Sequence, residues 1–97
     1  MIRIVRTYLA QAGKRQQVVD VLKEISAYAA TQDIDIQVLT EPWGDMRRVY
    51  IHTDYEKADT ALEWLEGVFS NPKAREASQR LSELTEGDVD VAFLTLQ

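Results

Sequence analysis

Two side chains of one predicted strand, Tyr50 and His52, have the chemistry of a proton-transfer site. They are two residues apart, so in an extended strand they point to the same face of the sheet. Histidine changes charge near neutral pH and can act as a general base, so His52 could abstract a proton from a phenol or an enol. The alternative interpretation is that His52 only makes hydrogen bonds in a polar layer of a subunit interface.

Arg6 and Tyr8 lie two residues apart on another predicted strand and supply strong hydrogen-bond donors. With Tyr50 they could hold the oxyanion that proton abstraction forms, because guanidinium and phenol groups stabilise negative charge well in a dry cavity. Arginine and tyrosine are also common in subunit interfaces, so interface packing is the alternative for all three. Trp43, in a predicted turn, could line the mouth of a cavity or pack against a neighbouring subunit. We predict catalytic roles for His52 and Tyr50, and substrate-binding roles for Arg6, Tyr8 and Trp43.

Two further patterns have both a ligand-binding and a structural explanation. His52, Asp54 and Glu56 alternate along one strand, as the ligands of a metal could. Acidic residues at this place also favour the positive end of the following helix dipole, so we expect no metal. The segment 13–15, Gly-Lys-Arg, places two cations at the start of a predicted helix, where a bound anion would relieve their repulsion by the dipole. The glycine-rich arginine loop that binds phosphate at this place in acylphosphatases, which share the fold, is missing, so we expect no phosphate site.

The composition excludes several classes of site. The chain of 97 residues has no cysteine, which rules out disulfides, thiolate metal sites and cysteine nucleophiles. Its formal charge of −5 argues against a nucleic-acid partner, because phosphate binding needs a basic surface. No apolar run is long enough to cross a membrane and the first residues lack a signal-peptide pattern, so we expect a soluble cytoplasmic protein. Glycine-rich phosphate-binding motifs and the G-x-S-x-G elbow are absent, and we expect no cofactor.

Hydrophobic periodicity predicts the element order β-α-β-β-α-β. Alternating residues predict strands over 2–9, 34–41, 47–55 and 89–96, and helical spacing predicts helices over 14–31 and from 57 onwards. Asparagine is a good N-cap and proline suits the first helical position, so Asn71 and Pro72 predict a new helix, which Gly87 ends. With right-handed crossovers this order gives a single α+β ferredoxin-like domain over 1–97, a four-stranded antiparallel sheet with both helices on one face.

This fold leaves one face of the sheet, the open face, without a helix on it. Its area of more than about 400 Å² is at the upper limit of the apolar patches that monomers expose. We therefore predict a homodimer in which two open faces pack together. Side-chain alternation predicts that the open face carries Ile4, Arg6, Tyr8, Leu39, Tyr50, His52, Ala92, Leu94 and Leu96. The residues predicted to face the helices are Ile34, Ile36, Val38, Val49, Ile51, Val91 and Phe93.

Two stretches of the sequence resemble a known family. The segment 5–14, VRTYLAQAGK, resembles the Arg-x-Tyr strand and Gly-Lys helix entry of NIPSNAP-like proteins of the dimeric α/β-barrel superfamily. The segment 41–45, EPWGD, followed by 49–52, VYIH, is similar to the second-strand end, glycine turn and third strand of that group. The resemblance implies paired sheets that close into a barrel, with Arg6 and Tyr8 as the matching positions. The wider superfamily includes cofactor-free monooxygenases of aromatic polyketides and quinols, lactone isomerases and haem-handling enzymes.

The sequence therefore predicts a small-molecule binding protein, or a cofactor-independent oxygenase or isomerase, that acts on an aromatic or enolisable substrate in the barrel cavity. The competing hypothesis is a non-catalytic homodimerisation module whose barrel is filled by its own side chains. A cavity of about 300 Å³ or more lined by His52 and Tyr50 would favour the ligand site, and a packed interior would favour the structural module.

Overall fold

The computed structural model describes residues 1–41, 46–56, 59–60, 63, 67 and 70–95. Its elements are β1 (Ile2–Ala10), α1 (Arg15–Ala30), β2 (Ile36–Thr40), β3 (Arg48–Tyr55), α2 (Pro72–Leu84) and β4 (Thr85–Thr95). In the region predicted to be helical from 57, the described residues at 59, 60, 63, 67 and 70 are helical. The strands form one antiparallel sheet in the order β2-β3-β1-β4. The predicted α+β ferredoxin-like fold is confirmed.

The core lies between the sheet and the helices. Val18 and Leu22 are one helical turn apart in α1, and both are completely buried, as is Val49 of β3. α1 packs over β2 and β3 and against α2, so the apolar stripe that defined this helix in the sequence is the surface it buries. Burial of such side chains stabilises the fold by about 1.5–3 kcal/mol each. No helix among the described residues is long and apolar enough to cross a membrane.

Asn71 begins α2 as the sequence predicts. Its side-chain oxygen accepts hydrogen bonds from the backbone nitrogens of Lys73 at 2.9 Å and Ala74 at 3.2 Å, and Pro72 occupies the first helical position. The side-chain nitrogen of Asn71 donates to the hydroxyl of Tyr28 in α1 at 2.8 Å. One residue therefore both starts α2 and connects it to α1.

Replacement of this cap tests its contribution to stability. We expect Asn71→Ala to lower the free energy of unfolding by about 1–2 kcal/mol, because two backbone donors lose their acceptor and the Tyr28 hydroxyl loses one hydrogen bond. Asn71→Asp retains the cap acceptor but cannot donate to Tyr28, so its loss should be smaller. Urea unfolding followed by circular dichroism measures both changes. Unchanged stability in Asn71→Ala would contradict this role.

β4 begins earlier than the sequence predicts. Gly87 was expected to end the helix, but α2 ends at Leu84 and β4 starts at Thr85. The register between β1 and β4 shifts between Thr7 and Leu9, which marks a bulge opposite this part of β1. Gly87 lies in that bulge with a φ of 69°, a value that glycine adopts without strain. The glycine therefore shapes a strand bulge and not a helix end.

The pairing of β1 with β3 corrects a prediction about side-chain direction. Arg6 lies opposite Ile51 and Tyr8 lies opposite Val49. Residues directly opposite each other in an antiparallel pair share one face, so Ile4, Arg6 and Tyr8 face the helices and not the open face. The prediction was wrong because β1 carries apolar side chains on both of its faces, so its pattern alone does not show which face is toward the helices.

In β2, β3 and β4, the side-chain directions of the described residues agree with the sequence prediction. Trp43 and Leu96 lie outside the described residues. Val91 and Phe93 share the helix-facing side with Arg6 and Ile4, but they are 45% and 68% exposed because β4 is an edge strand. The described residues of the open face are Arg3, Val5, Thr7, Leu9, Gln37, Leu39, Arg48, Tyr50, His52, Asp54, Glu86, Asp90, Ala92 and Leu94.

Candidate functional site

A cavity of about 60 Å³, which we call the inner cavity, lies between the sheet and the helices. Isoleucine, leucine and alanine side chains from both layers form most of its wall. Its polar lining residues are Arg6, Tyr8, Thr53, Tyr55 and Ser78. A volume of this size holds one or two water molecules or a small polar group, but no complete drug-sized ligand.

Arg6 is the charged group of the inner cavity, and two buried tyrosines lie near it. Burial raises the pKa of Tyr8, and the charge and hydrogen bond of Arg6 oppose that rise. Burial also raises the pKa of Tyr55 to about 12, again opposed by the charge of Arg6. Both phenols are therefore neutral donors near pH 7. Among the described residues no carboxylate forms an ion pair with Arg6. A cation and two phenols in an apolar wall can stabilise an anion.

A larger space of about 340 Å³, the outer cleft, lies beside the inner cavity at the β4 bulge. Tyr8, Ser78 and Leu81 line both spaces. The outer cleft extends from them along α2 and along the bulged part of β4 to Val89. The bulge that Gly87 permits thus shapes one wall of this space, next to the donors of the inner cavity.

Tyr50 lies on the open face and interacts with charged neighbours. Its hydroxyl donates a hydrogen bond to the carboxylate of Glu41. That hydrogen bond raises the pKa of Tyr50, and a hydrogen bond with Arg48 opposes the rise. Tyr50 is therefore held as a neutral phenol between a carboxylate and a guanidinium group.

His52 also lies on the open face, beside an ion pair. Arg3 donates from Nε and Nη2 to the carboxylate of Asp54 at 2.8 and 3.1 Å. These hydrogen bonds lower the pKa of Asp54, and the nearby His52 adds a smaller contribution in the same direction. In the part of the chain that the structure describes, no three His, Asp or Glu side chains are placed to hold a metal ion.

The structure divides the predicted site residues between the two sides of the sheet. Tyr50 and His52 share the open face, whereas Arg6 and Tyr8 line the inner cavity. Their separation rules out a single site that includes all four within one subunit. Sequence reasoning missed Tyr55, although its alternation with Ile51 along β3 is the pattern that places it on the helix-facing side.

The pKa of Tyr55 predicts a change in alkaline stability. Its folded-state pKa of about 12 lies above the value of about 10 expected in the unfolded chain. Its contribution to stability is therefore complete below about pH 10 and is lost as the pH rises toward 12, because the unfolded state ionises first. We expect the Tm of the wild type to fall across this interval and that of Tyr55→Phe to fall less. Tyr28→Phe, which removes a hydroxyl outside the cavity, is the control, and equal slopes for all three proteins would contradict this assignment.

Solved structures share this architecture over the whole chain. A NIPSNAP domain protein from Burkholderia xenovorans superposes with a TM-score of 0.83 at 19% identity, and the match covers 100% of this chain and 95% of that one. This chain therefore shares its fold with that NIPSNAP domain protein. A NIPSNAP family protein from Agrobacterium tumefaciens gives a TM-score of 0.80 at 19% identity, covering 99% and 92% of the two chains. A structure named antibiotic biosynthesis monooxygenase gives a TM-score of 0.79 at 8% identity, covering 100% and 99%.

These identities relate the NIPSNAP-type structures to this chain by fold alone. The resemblance seen in the strand and turn sequences is confirmed at that level. No protein-family model and no curated protein matches the sequence.

Proposed function

We propose that this protein binds a small aromatic or enolisable molecule, in its anionic form, between the sheet and the helices. The observation that supports the proposal is the position of Arg6 in the wall of the inner cavity. Arg6 is half-buried, and a guanidinium group held against apolar walls costs stability unless a negative charge or good hydrogen bonds compensate it. Tyr8 compensates it in part, and no carboxylate among the described residues does so. A bound anion would complete the site.

The groups around Arg6 favour a ligand that arrives already ionised. The polar side chains described in the inner cavity are an arginine, two tyrosines, a threonine and a serine, which donate hydrogen bonds well. The tyrosine phenols are neutral near pH 7 and are weak bases. Such a site stabilises an enolate, phenolate or carboxylate better than it removes a proton. Cofactor-independent oxygenase chemistry would suit it, because an enolate or phenolate is the electron-rich form that reacts with oxygen.

His52 and Tyr50 remain proposed catalytic residues of a second location, the barrel that two open faces would enclose. The open face offers apolar side chains from β1, β2 and β4, among them Val5, Leu39 and Leu94. Leu39 and Leu94 are 45% and 49% exposed in the single chain. Packing two such faces together would cover them, and we propose this homodimer. The cytoplasmic location expected from the sequence stays a prediction.

One observation favours a second candidate function. The inner cavity of about 60 Å³ is well below the size of about 300 Å³ at which ligand sites usually begin. If neither the outer cleft nor the barrel of the dimer holds a ligand, the protein is a non-catalytic homodimerisation module, and Arg6 and its tyrosines only pack.

A thermal-shift comparison tests the proposed function against this alternative. The probes are benzoate, salicylate and 4-hydroxybenzoate, with benzamide as the uncharged control. A ligand present at about 100 times its Kd stabilises the native state by about 2.7 kcal/mol, which shifts the Tm of a small domain by about 10 °C or more. We expect the full shift for wild type and His52→Ala, and a much smaller shift for Arg6→Gln. A shift that His52→Ala loses and Arg6→Gln retains would place the ligand in the barrel, and no shift with any anion would favour the structural module.

A further inference from the structure

We infer that the ligand is amphipathic, a carboxylic acid whose anionic group binds at Arg6 and whose apolar body occupies the outer cleft. This inference rests on the proposed function of the inner cavity and specifies the class of molecule that it binds. The inference is supported by the different sizes and lining side chains of two adjoining spaces, the inner cavity and the outer cleft.

The two volumes assign different parts of a ligand to the two spaces. The inner cavity of about 60 Å³ has room for a carboxylate but not for the rest of a molecule. The outer cleft of about 340 Å³ is in the range of small-molecule sites. Because Tyr8, Ser78 and Leu81 line both, a ligand that extends past these side chains would occupy the two spaces together.

The lining side chains change in character from the inner cavity to the outer cleft. At the inner end, Arg6 and Tyr8 offer charge-assisted and neutral hydrogen bonds to an anion. Along the outer cleft, Leu81 and Val89 offer apolar contact. Asp88 also lines the outer cleft, and its negative charge disfavours an anionic group there. The carboxylate is thus directed inward and the apolar body outward.

Apolar side chains of β4 also lie beside the inner cavity. Val91 lies opposite Arg6 and Phe93 lies opposite Ile4, so both are on the cavity side of the sheet. They are 45% and 68% exposed in the single chain. Apolar surface of β4 therefore lies beside the anion site, and the outer cleft is the space left for the body of the ligand.

Calorimetric titration of the full chain with straight-chain carboxylates from butanoate to decanoate tests this inference. We expect affinity to rise about fourfold for each methylene that enters the outer cleft, and to level off once the cleft is filled. The alcohols of equal length should bind at least about tenfold more weakly, because they lack the charge. Arg6→Gln should remove most of this difference between acids and alcohols.

Filling the outer cleft tests its part in binding separately. Ser82 is an exposed residue of α2 that lines the outer cleft but not the inner cavity. We expect Ser82→Trp to abolish the gain in affinity with chain length while butanoate still binds. Gln79→Trp, at an exposed position of the same helix that lines neither space, is the matched control. Ser82→Leu is a smaller replacement that keeps the test available if the tryptophan variant is unstable.

The outcomes separate this inference from the proposed function. Anions that bind through Arg6 with no dependence on chain length would overturn the amphipathic ligand and leave the proposed anion site standing. A dependence on chain length that persists in Ser82→Trp would also overturn it, because the apolar body would lie elsewhere. If the wild type binds neither aliphatic nor aromatic anions, both proposals fail.

Discussion

Arg6→Met is expected to stabilise the protein and to weaken anion binding. The substitution removes a guanidinium group that has no carboxylate partner among the described residues, and it retains a flexible apolar side chain of similar length. We expect the free energy of unfolding to rise by about 1 kcal/mol, which raises the Tm of a domain of this size by about 4–8 °C. Affinity for the best anion should fall by a factor of about 10 to 100, the effect of losing charge-assisted hydrogen bonds. Scanning calorimetry measures the change in stability, and titration calorimetry measures the change in affinity.

Two variants control this experiment. Arg6→Lys retains the charge but loses the planar fork of donors, so we expect weakened binding with little change in stability. Arg3→Met removes another arginine of β1, one that pairs with Asp54 on the open face, and should leave anion binding unchanged. A clear loss of stability in Arg6→Met would contradict the anion site, because it would show that Arg6 serves the fold.

Val5→Asp is expected to convert the proposed homodimer into a monomer. Val5 lies in a central strand of the open face, opposite His52 on β3 and Ala92 on β4. In a face-to-face dimer the substitution buries one carboxylate from each subunit at the centre of the interface, at a cost of several kcal/mol. The dissociation constant of the dimer should rise by about a thousandfold or more. Analytical ultracentrifugation over a range of concentrations measures this change.

The matched control introduces the same charge on the other side of the sheet. Val91 is exposed on the helix-facing side of β4, so Val91→Asp should leave the dimer intact. A monomeric wild type, or a dimer that survives Val5→Asp but not Val91→Asp, would contradict dimerisation through the open face.

The element order and the start of α2 were predictable because their signals are local. Asn71 and Pro72 form a cap within three residues, and periodicity within α1 marks its buried side. β3 alternates clearly, with Val49 and Ile51 toward the helices, so its direction could be read from the sequence. β1 is apolar on both sides, and only its pairing with β3 shows which side carries Arg6.

The candidate site was predictable in its residue types but not in its location. Arg6 and Tyr8 were identified as donors, yet their separation from His52 depends on strand register, which no short motif encodes. The outer cleft depends on the bulge at Gly87. Glycine is typical of both helix ends and strand bulges, so the sequence alone did not show which of the two Gly87 forms. Tyr55 was missed because it ends its strand, where side-chain direction is least certain from pattern alone.

The most direct test of the anion site is an NMR titration of the wild-type protein with benzoate. It follows the Nε–H signal of Arg6, the ring signals of Tyr8 and Tyr55, and those of Tyr50 and His52 on the other side of the sheet. We predict saturable shifts of the Arg6, Tyr8 and Tyr55 signals, with the Tyr50 and His52 signals unchanged. Shifts confined to Tyr50 and His52 would contradict a ligand site at Arg6 and would place the ligand in the barrel of the dimer.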